Sequence, residues 1–175
     1  MNKKKNIKIY TSIAILASLS SVISIFDKII MSCLVPYVPG VKLGLANIIV
    51  LYSIYNTNFK FASIEVLLKI TIVSLIFGSI SSFIIGGISS ILSFLIMYML
   101  YRYLKNKLSI ITISVIGGFV HINTQLIIIK LIYKIGNEIY SYGLILIIIS
   151  FVTSIIVGLL AKRINTSDFI RNIMH

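Results

Sequence analysis

Acidic residues are the scarcest functional class in this chain. Four Asp and Glu stand against sixteen Lys and Arg in 175 residues. Asp27 and Asp168 are isolated, as are Glu65 and Glu138. A bound magnesium diphosphate needs several clustered carboxylates, because hard cations take oxygen ligands. Paired-carboxylate acid–base chemistry, a Ser-His-Asp set and a His/Glu metal cluster fail on the same inventory. No metal, no cofactor and no catalysis by this chain are expected. The single cysteine, Cys33, excludes an intrachain disulfide and a cysteine zinc site. There is no GxxxxGK[ST] loop, so ATP hydrolysis is not expected here. Tryptophan is absent, which leaves ten tyrosines to supply most of an aromatic belt. The only prolines, Pro36 and Pro39, fall in one short stretch.

What is abundant is apolar sequence. Hydrophobic residues make up 58% of the chain, and the mean hydropathy is +1.07. Soluble domains sit near 45–50%, and an excess arranged in long runs means an integral membrane protein. The length allows one compact domain. We read an all-α bundle of about six transmembrane helices, over residues 9–26, 43–55, 59–80, 83–101, 108–129 and 139–161. The second run is short for a crossing of about 20 residues; it either borrows neighbours or ends below the surface under protein cover. The formal charge of +12 sits at the ends of apolar runs. That is the pattern of a membrane surface, not of a nucleic-acid partner.

Short-loop Lys and Arg residues set orientation. A cytoplasmic N-terminus puts Lys3, Lys4, Lys5, Lys8, Lys60, Arg102, Lys105, Lys107, Lys162, Arg163 and Arg171 inside. Only Lys28, Lys42, Lys130 and Lys134 then lie outside, so both termini are expected in the cytoplasm. The opening Lys3-Lys4-Lys5 before an apolar run has the look of a signal peptide. Asp27 and Lys28 interrupt that run and no Ala-x-Ala site follows, so the first helix is expected to be retained.

The segment Pro36-Tyr37-Val38-Pro39-Gly40-Val41-Lys42-Leu43-Gly44-Leu45-Ala46-Asn47 breaks the helical pattern between the first two spans. Each proline removes a donor and biases its predecessor away from helix. Pro39, Gly40 and Gly44 mark a loop and a helix start. That start would offer free N–H groups and a positive dipole end to an anion, with Lys42 adding a full charge. The alternative is a membrane loop with a snorkelling lysine. The run from Pro39 to Asn47 resembles the signature of a bacterial membrane family known as "Gx transporter" or "heptaprenyl diphosphate synthase component I". In size and layout that family is similar to the substrate-binding membrane subunits of energy-coupling factor transporters. Gly86-Gly87 followed by Ser89 and Leu92 resembles the family's fourth span. Its His-Asn-x-Gly-Gln pattern is met by His121 and Gln125, with Ile122 and Thr124 departing from it.

Ionisable residues within spans usually face the interior or a cavity. Glu65 and Lys69 are four apart in the third span, in the favourable order for a pair on one face. They form either an internal ion pair or a ligand-contacting lysine with its counter-charge. His121 and Gln125 share a face of the fifth span. We expect Lys42, Asn47, His121 and Gln125 to converge, with Lys69 as the floor. On the first span, Ala14 and Ser18, and Ala17 and Ser21, are small-x-x-x-small pairs of the kind that let membrane helices approach closely. The resemblance implies a docking face there for a coupling membrane subunit.

These readings point to a substrate-binding subunit of an uptake transporter. It would capture a small polar or anionic ligand from outside, under a loop over 27–42, and be energised by separate ATPase subunits. The alternative is a non-catalytic membrane component of heptaprenyl diphosphate synthase. It would have a prenyl-linked ligand and a soluble synthase partner.

Overall fold

The computed structural model describes residues 3–34, 41–134, 136 and 139–166. The described residues contain six helices and no strand: α1 (Lys3–Leu34), α2 (Asn47–Asn56), α3 (Phe59–Phe77), α4 (Ile80–Leu104), α5 (Ile110–Tyr133) and α6 (Ile139–Thr166). Four of them, α1, α4, α5 and α6, are long and apolar enough to cross a membrane. Large apolar side chains such as Leu75, Ile80 and Leu131 stand exposed around the bundle, as expected where lipid is the solvent.

Local sequence sets the helix ends. Gly78 closes α3 in the left-handed conformation, at φ 58°. Ser79 then starts α4, its hydroxyl accepting from the Ser82 N–H at 3.3 Å, and Ser109 starts α5 by accepting from Thr112 N–H at 3.1 Å. Between helices, serines donate to facing backbone: Ser93 to the Gly117 carbonyl at 2.8 Å, Ser114 to that of Ser154 at 2.7 Å. A side chain at Gly117 would overlap Met97, and one at Gly118 would overlap Ser154. Small residues and serine bonds thus draw α4, α5 and α6 together, as membrane packing requires.

The second helix is the hub. It has 10 residues, about 15 Å of rise, and it touches each of the other five helices. Ile49, Val50, Leu51, Tyr52 and Ile54 are all buried. A helix apolar on every side is buried on every side. The start of α2 at Asn47 lies under protein cover, whereas its last residue, Asn56, is exposed.

Two boundaries differ from the sequence reading. The first helix does not stop at Phe26 but continues to Leu34, so 27–34 is helix and not part of a covering loop. It can continue because Asp27 and Lys28 find partners inside the bundle. The second helix begins at Asn47 rather than Leu43. Gly44, at φ 85°, takes a conformation no helix accepts, and residues 41–46 stay irregular.

Tyr10 meets Phe61, Phe59 meets Tyr98, and Asn56 bonds Asn165. The start of α1 and the end of α6 therefore share one end of the bundle. The candidate site lies towards the other.

Candidate ligand site

The irregular segment 41–46 is largely buried within the bundle, which is tolerated only where protein satisfies the backbone. Asp27 does most of this. Its Oδ1 accepts the Leu43 N–H at 2.9 Å, and its Oδ2 accepts those of Gly44 at 2.8 Å and Leu45 at 3.0 Å. From the opposite side, Gln125 Oε1 accepts the Lys42 N–H at 2.9 Å. Gln125 Nε2 lies 2.8 Å from His121 Nε2. With the amide donating, the imidazole proton is assigned to Nδ1. The segment is thus clamped between α1 and α5. Gly44 is required twice: for its φ, and because a Cβ there would stand 3.0 Å from Asn47 Nδ2 and 3.5 Å from the His121 ring.

The clamp changes the reading of this stretch. The N–H groups expected to greet an anion are already occupied by Asp27. Asn47, His121 and Gln125 are buried supports of the segment. The backbone of Lys42 belongs to the clamp, and its side chain leaves for a separate pocket.

That pocket lies between α1, α3 and α4. Three lysines line it: Lys28 from α1, Lys42 from the clamped segment and Lys69 from α3. Ser24, Ser82 and Ser90 add hydroxyls, Gly86 and Gly87 leave space, and Ile70, Val73, Phe77 and Phe83 form an apolar side. Lys42 Nζ donates to Ser24 Oγ at 3.4 Å. A Cβ on Gly86 would sit 3.2 Å from Lys42 Nζ, so any side chain there would make the lysine tip shift. Lys28 Nζ donates to Ser82 Oγ at 3.0 Å and lies 3.5 Å from the centroid of the Phe77 ring. Lys69 is 4% exposed and has no hydrogen bond among the described residues. The free volume is about 10 Å³ within a void of about 320 Å³ that includes its open mouth. That is room for roughly one water.

Lys42 precedes α2 and lies outside the spanning helices. Its pKa is pushed down to about 8, first by burial, then by Lys69 and Lys28, with Asp27 opposing. No carboxylate lines the pocket. Glu65 stands one turn from Lys69, buried, and neither of its oxygens has a hydrogen-bond partner. Glu65 and Lys69 share no hydrogen bond among the described residues, but their charges still act on each other.

Of the five residues expected to bind a ligand, Lys42 and Lys69 line the pocket, and Asn47, His121 and Gln125 do not. Pro39 and Gly40 lie outside the described residues. On α1, Ala17 and Ser21 are buried within the bundle, whereas Ala14 and Ser18 are exposed. Close packing against the bundle therefore accounts for the first two, and only the second two remain open to a partner. Asp27 and Lys28 were missed because a charged pair ending an apolar run reads as a span boundary. The signal was present in the spacing: Ala17, Ser20, Ser21, Ser24, Asp27 and Lys28 form one small and polar stripe at helical period.

A family model described as heptaprenyl diphosphate synthase component I matches residues 16–164. No curated protein and no solved structure gives a match.

Proposed function

We propose, because this chain belongs to the heptaprenyl diphosphate synthase component I family, that it is a non-catalytic membrane component of a prenyl diphosphate synthase. It holds an anionic ligand within the bundle and works with a soluble synthase subunit. The observation that carries this reading is the wall of Lys28, Lys42 and Lys69 with no carboxylate among the lining residues. Three ammonium groups bind an anion. Without acids they cannot hold the divalent cations that stabilise a departing diphosphate. Retention belongs to this chain, and turnover belongs to a partner.

One observation favours uptake instead. The pocket lies towards the end of the bundle opposite the start of α1 and the end of α6, and the lysine and arginine distribution supports an outward-facing position for that end in a bacterial cytoplasmic membrane. A ligand captured there would enter with help from a coupling subunit, docked on the exposed Ala14 and Ser18, and its ATPase subunits. Affinity purification of the full-length chain from its native membrane separates the two. A prenyl synthase subunit should co-purify with it. Recovery of ATPase and coupling subunits in its place would sink the synthase reading. Under the uptake reading, Ala14→Leu would abolish that recovery by blocking close approach.

A further inference from the structure

We infer that the chain holds one anionic phospholipid by its headgroup, in a second cavity at the end of the bundle away from the lysine pocket. An acyl chain of that lipid lies along the exposed face of α4. The site is separate from the ligand pocket and does not depend on which partner the chain serves.

The cavity stands where the connection between α2 and α3 meets the end of α4. It holds about 430 Å³, within the roughly 300–1,000 Å³ of small-molecule sites. Asn58 lines one side, and Tyr98, Tyr101, Arg102, Tyr103 and Lys105 line the other. No carboxylate is among the lining residues. Ring contacts fix the inner wall: Tyr98 packs on Phe59 with 4.8 Å between centroids, and Tyr101 on Tyr55 with 4.5 Å.

The donors here are unused. Among the described residues, neither the tyrosine hydroxyls of the wall nor the Arg102 guanidinium makes a hydrogen bond. Asn58 starts α3, yet its side chain makes no capping bond. Lys105 Nζ lies 5.7 Å from the centroid of the Tyr101 ring. A guanidinium fork with an ammonium and phenol hydroxyls beside it suits a phosphodiester.

Helix dipoles do not account for these cations. The end of α4 carries about −0.5 of a charge, which one lysine would offset, and both Arg102 and Lys105 stand there. Lys60, close after Asn58, sits at the positive end of α3, with no acid in the first turn. The surplus charge calls for an anion from outside the chain.

What adjoins the cavity makes that anion a lipid rather than an acidic protein segment. Leu92, Leu95, Met99 and Tyr103 are all exposed. Their spacing puts them in one stripe along α4. From Leu92 to Tyr103 the helix rises about 16 Å, the depth of one leaflet of a ~30 Å hydrocarbon core. An acyl chain on that stripe brings its phosphate to Tyr103, which lines the cavity. Tyrosine favours headgroup level. Basic pockets on the cytoplasmic side take anionic headgroups, and the lysine and arginine distribution supports that side for this end.

The test is native mass spectrometry of the full-length chain titrated with phosphatidylglycerol and phosphatidylcholine. Wild type should hold one phosphatidylglycerol at least about tenfold more tightly than phosphatidylcholine. Arg102→Gln and Lys105→Gln should each weaken it about tenfold, as loss of a charge-assisted contact does. Both side chains are exposed, so Tm should hold. Lys162→Gln, at the same end of the bundle, should leave the affinity unchanged. Glycerol 3-phosphate and a glutamate-rich peptide should not displace the lipid. Equal affinity for the two lipids overturns the inference, and so does binding indifferent to both cavity variants. An equal loss in Lys162→Gln would mean a diffuse basic surface, at about fivefold per charge, and no site. Displacement by glycerol 3-phosphate would make the cavity a soluble-phosphate site, and displacement by the peptide a protein-docking site. Either result overturns the lipid assignment.

Discussion

Asp27 and Lys42 lie close together and do different work. Asp27 accepts three N–H groups from a buried irregular segment. Asp27→Ala leaves those donors unsatisfied in a place water does not reach, at about 1–3 kcal/mol for each. We expect a loss of at least about 3 kcal/mol, read as a large drop in Tm in a mild detergent. Lys42→Ala keeps the clamp, whose bond to Gln125 comes from the backbone. It should change Tm little while weakening anion binding about ten- to a hundredfold, as loss of a charge-assisted contact does. Anion binding should also fall as pH rises through about 8, where buried Lys42 gives up its proton. The stability effect runs the other way. The folded pKa lies below the ordinary 10.5, so the burial penalty is full below about 8 and fades towards 10.5, and stability from this group rises across that window. Titrating affinity and Tm on one sample checks both signs; affinity flat from pH 7 to 10 would remove Lys42 from the site.

At the scale of elements, two glycines separate architecture from binding. Gly44→Ala puts a side chain at φ 85° and 3.0 Å from Asn47 Nδ2. Left-handed backbone alone costs about 1–2 kcal/mol, so Tm should fall with α2 loosened from its support. Gly86→Ala is the opposite case. Helix propensity favours alanine by about 1 kcal/mol, yet the new methyl would crowd Lys42 Nζ at 3.2 Å. Tm should hold or rise while anion affinity drops; unchanged affinity would mean that Lys42 can leave this wall freely. The glycines were visible in the sequence as family-like positions. Their separate duties were not, because a clash depends on which side chain arrives from another helix. The buried Ala17 and Ser21 make the same point. A small-x-x-x-small pattern gives close packing but not the identity of the neighbour.

For the molecule as a whole, one prediction concerns orientation. Residues 105 and 134 end helices that run in opposite directions. With Cys33 replaced by serine, Lys134→Cys should react with an impermeant thiol reagent added outside, and Lys105→Cys should react only after permeabilisation. The reverse labelling would place the lysine pocket on the cytoplasmic half and remove the observation that favours uptake.

The sequence by itself determined the solvent and the class of fold. A chain 58% hydrophobic with most of its charge at run ends has lipid as its solvent, and helices satisfy their backbone within themselves. It also determined that charge chemistry here would be cationic, since four acids cannot balance sixteen bases. Lys69 was legible as a candidate because ionisable groups are costly in a membrane interior, and Lys42 because it follows a proline–glycine break before an apolar helix; both line the pocket. Tertiary structure alone decided the rest. Asp27 and residues 43–45 are far apart in the chain, and only the packing of α1 beside the broken segment turns that carboxylate into a clamp. The same packing sends Gln125, bonded to His121, to the backbone of Lys42 rather than to the pocket. It also brings Lys28, 41 residues before Lys69, to the same cavity. Local spacing shows which face of a helix is polar. What that face meets is set by the neighbouring helices, through the buried hydrogen bonds that must be satisfied when they pack.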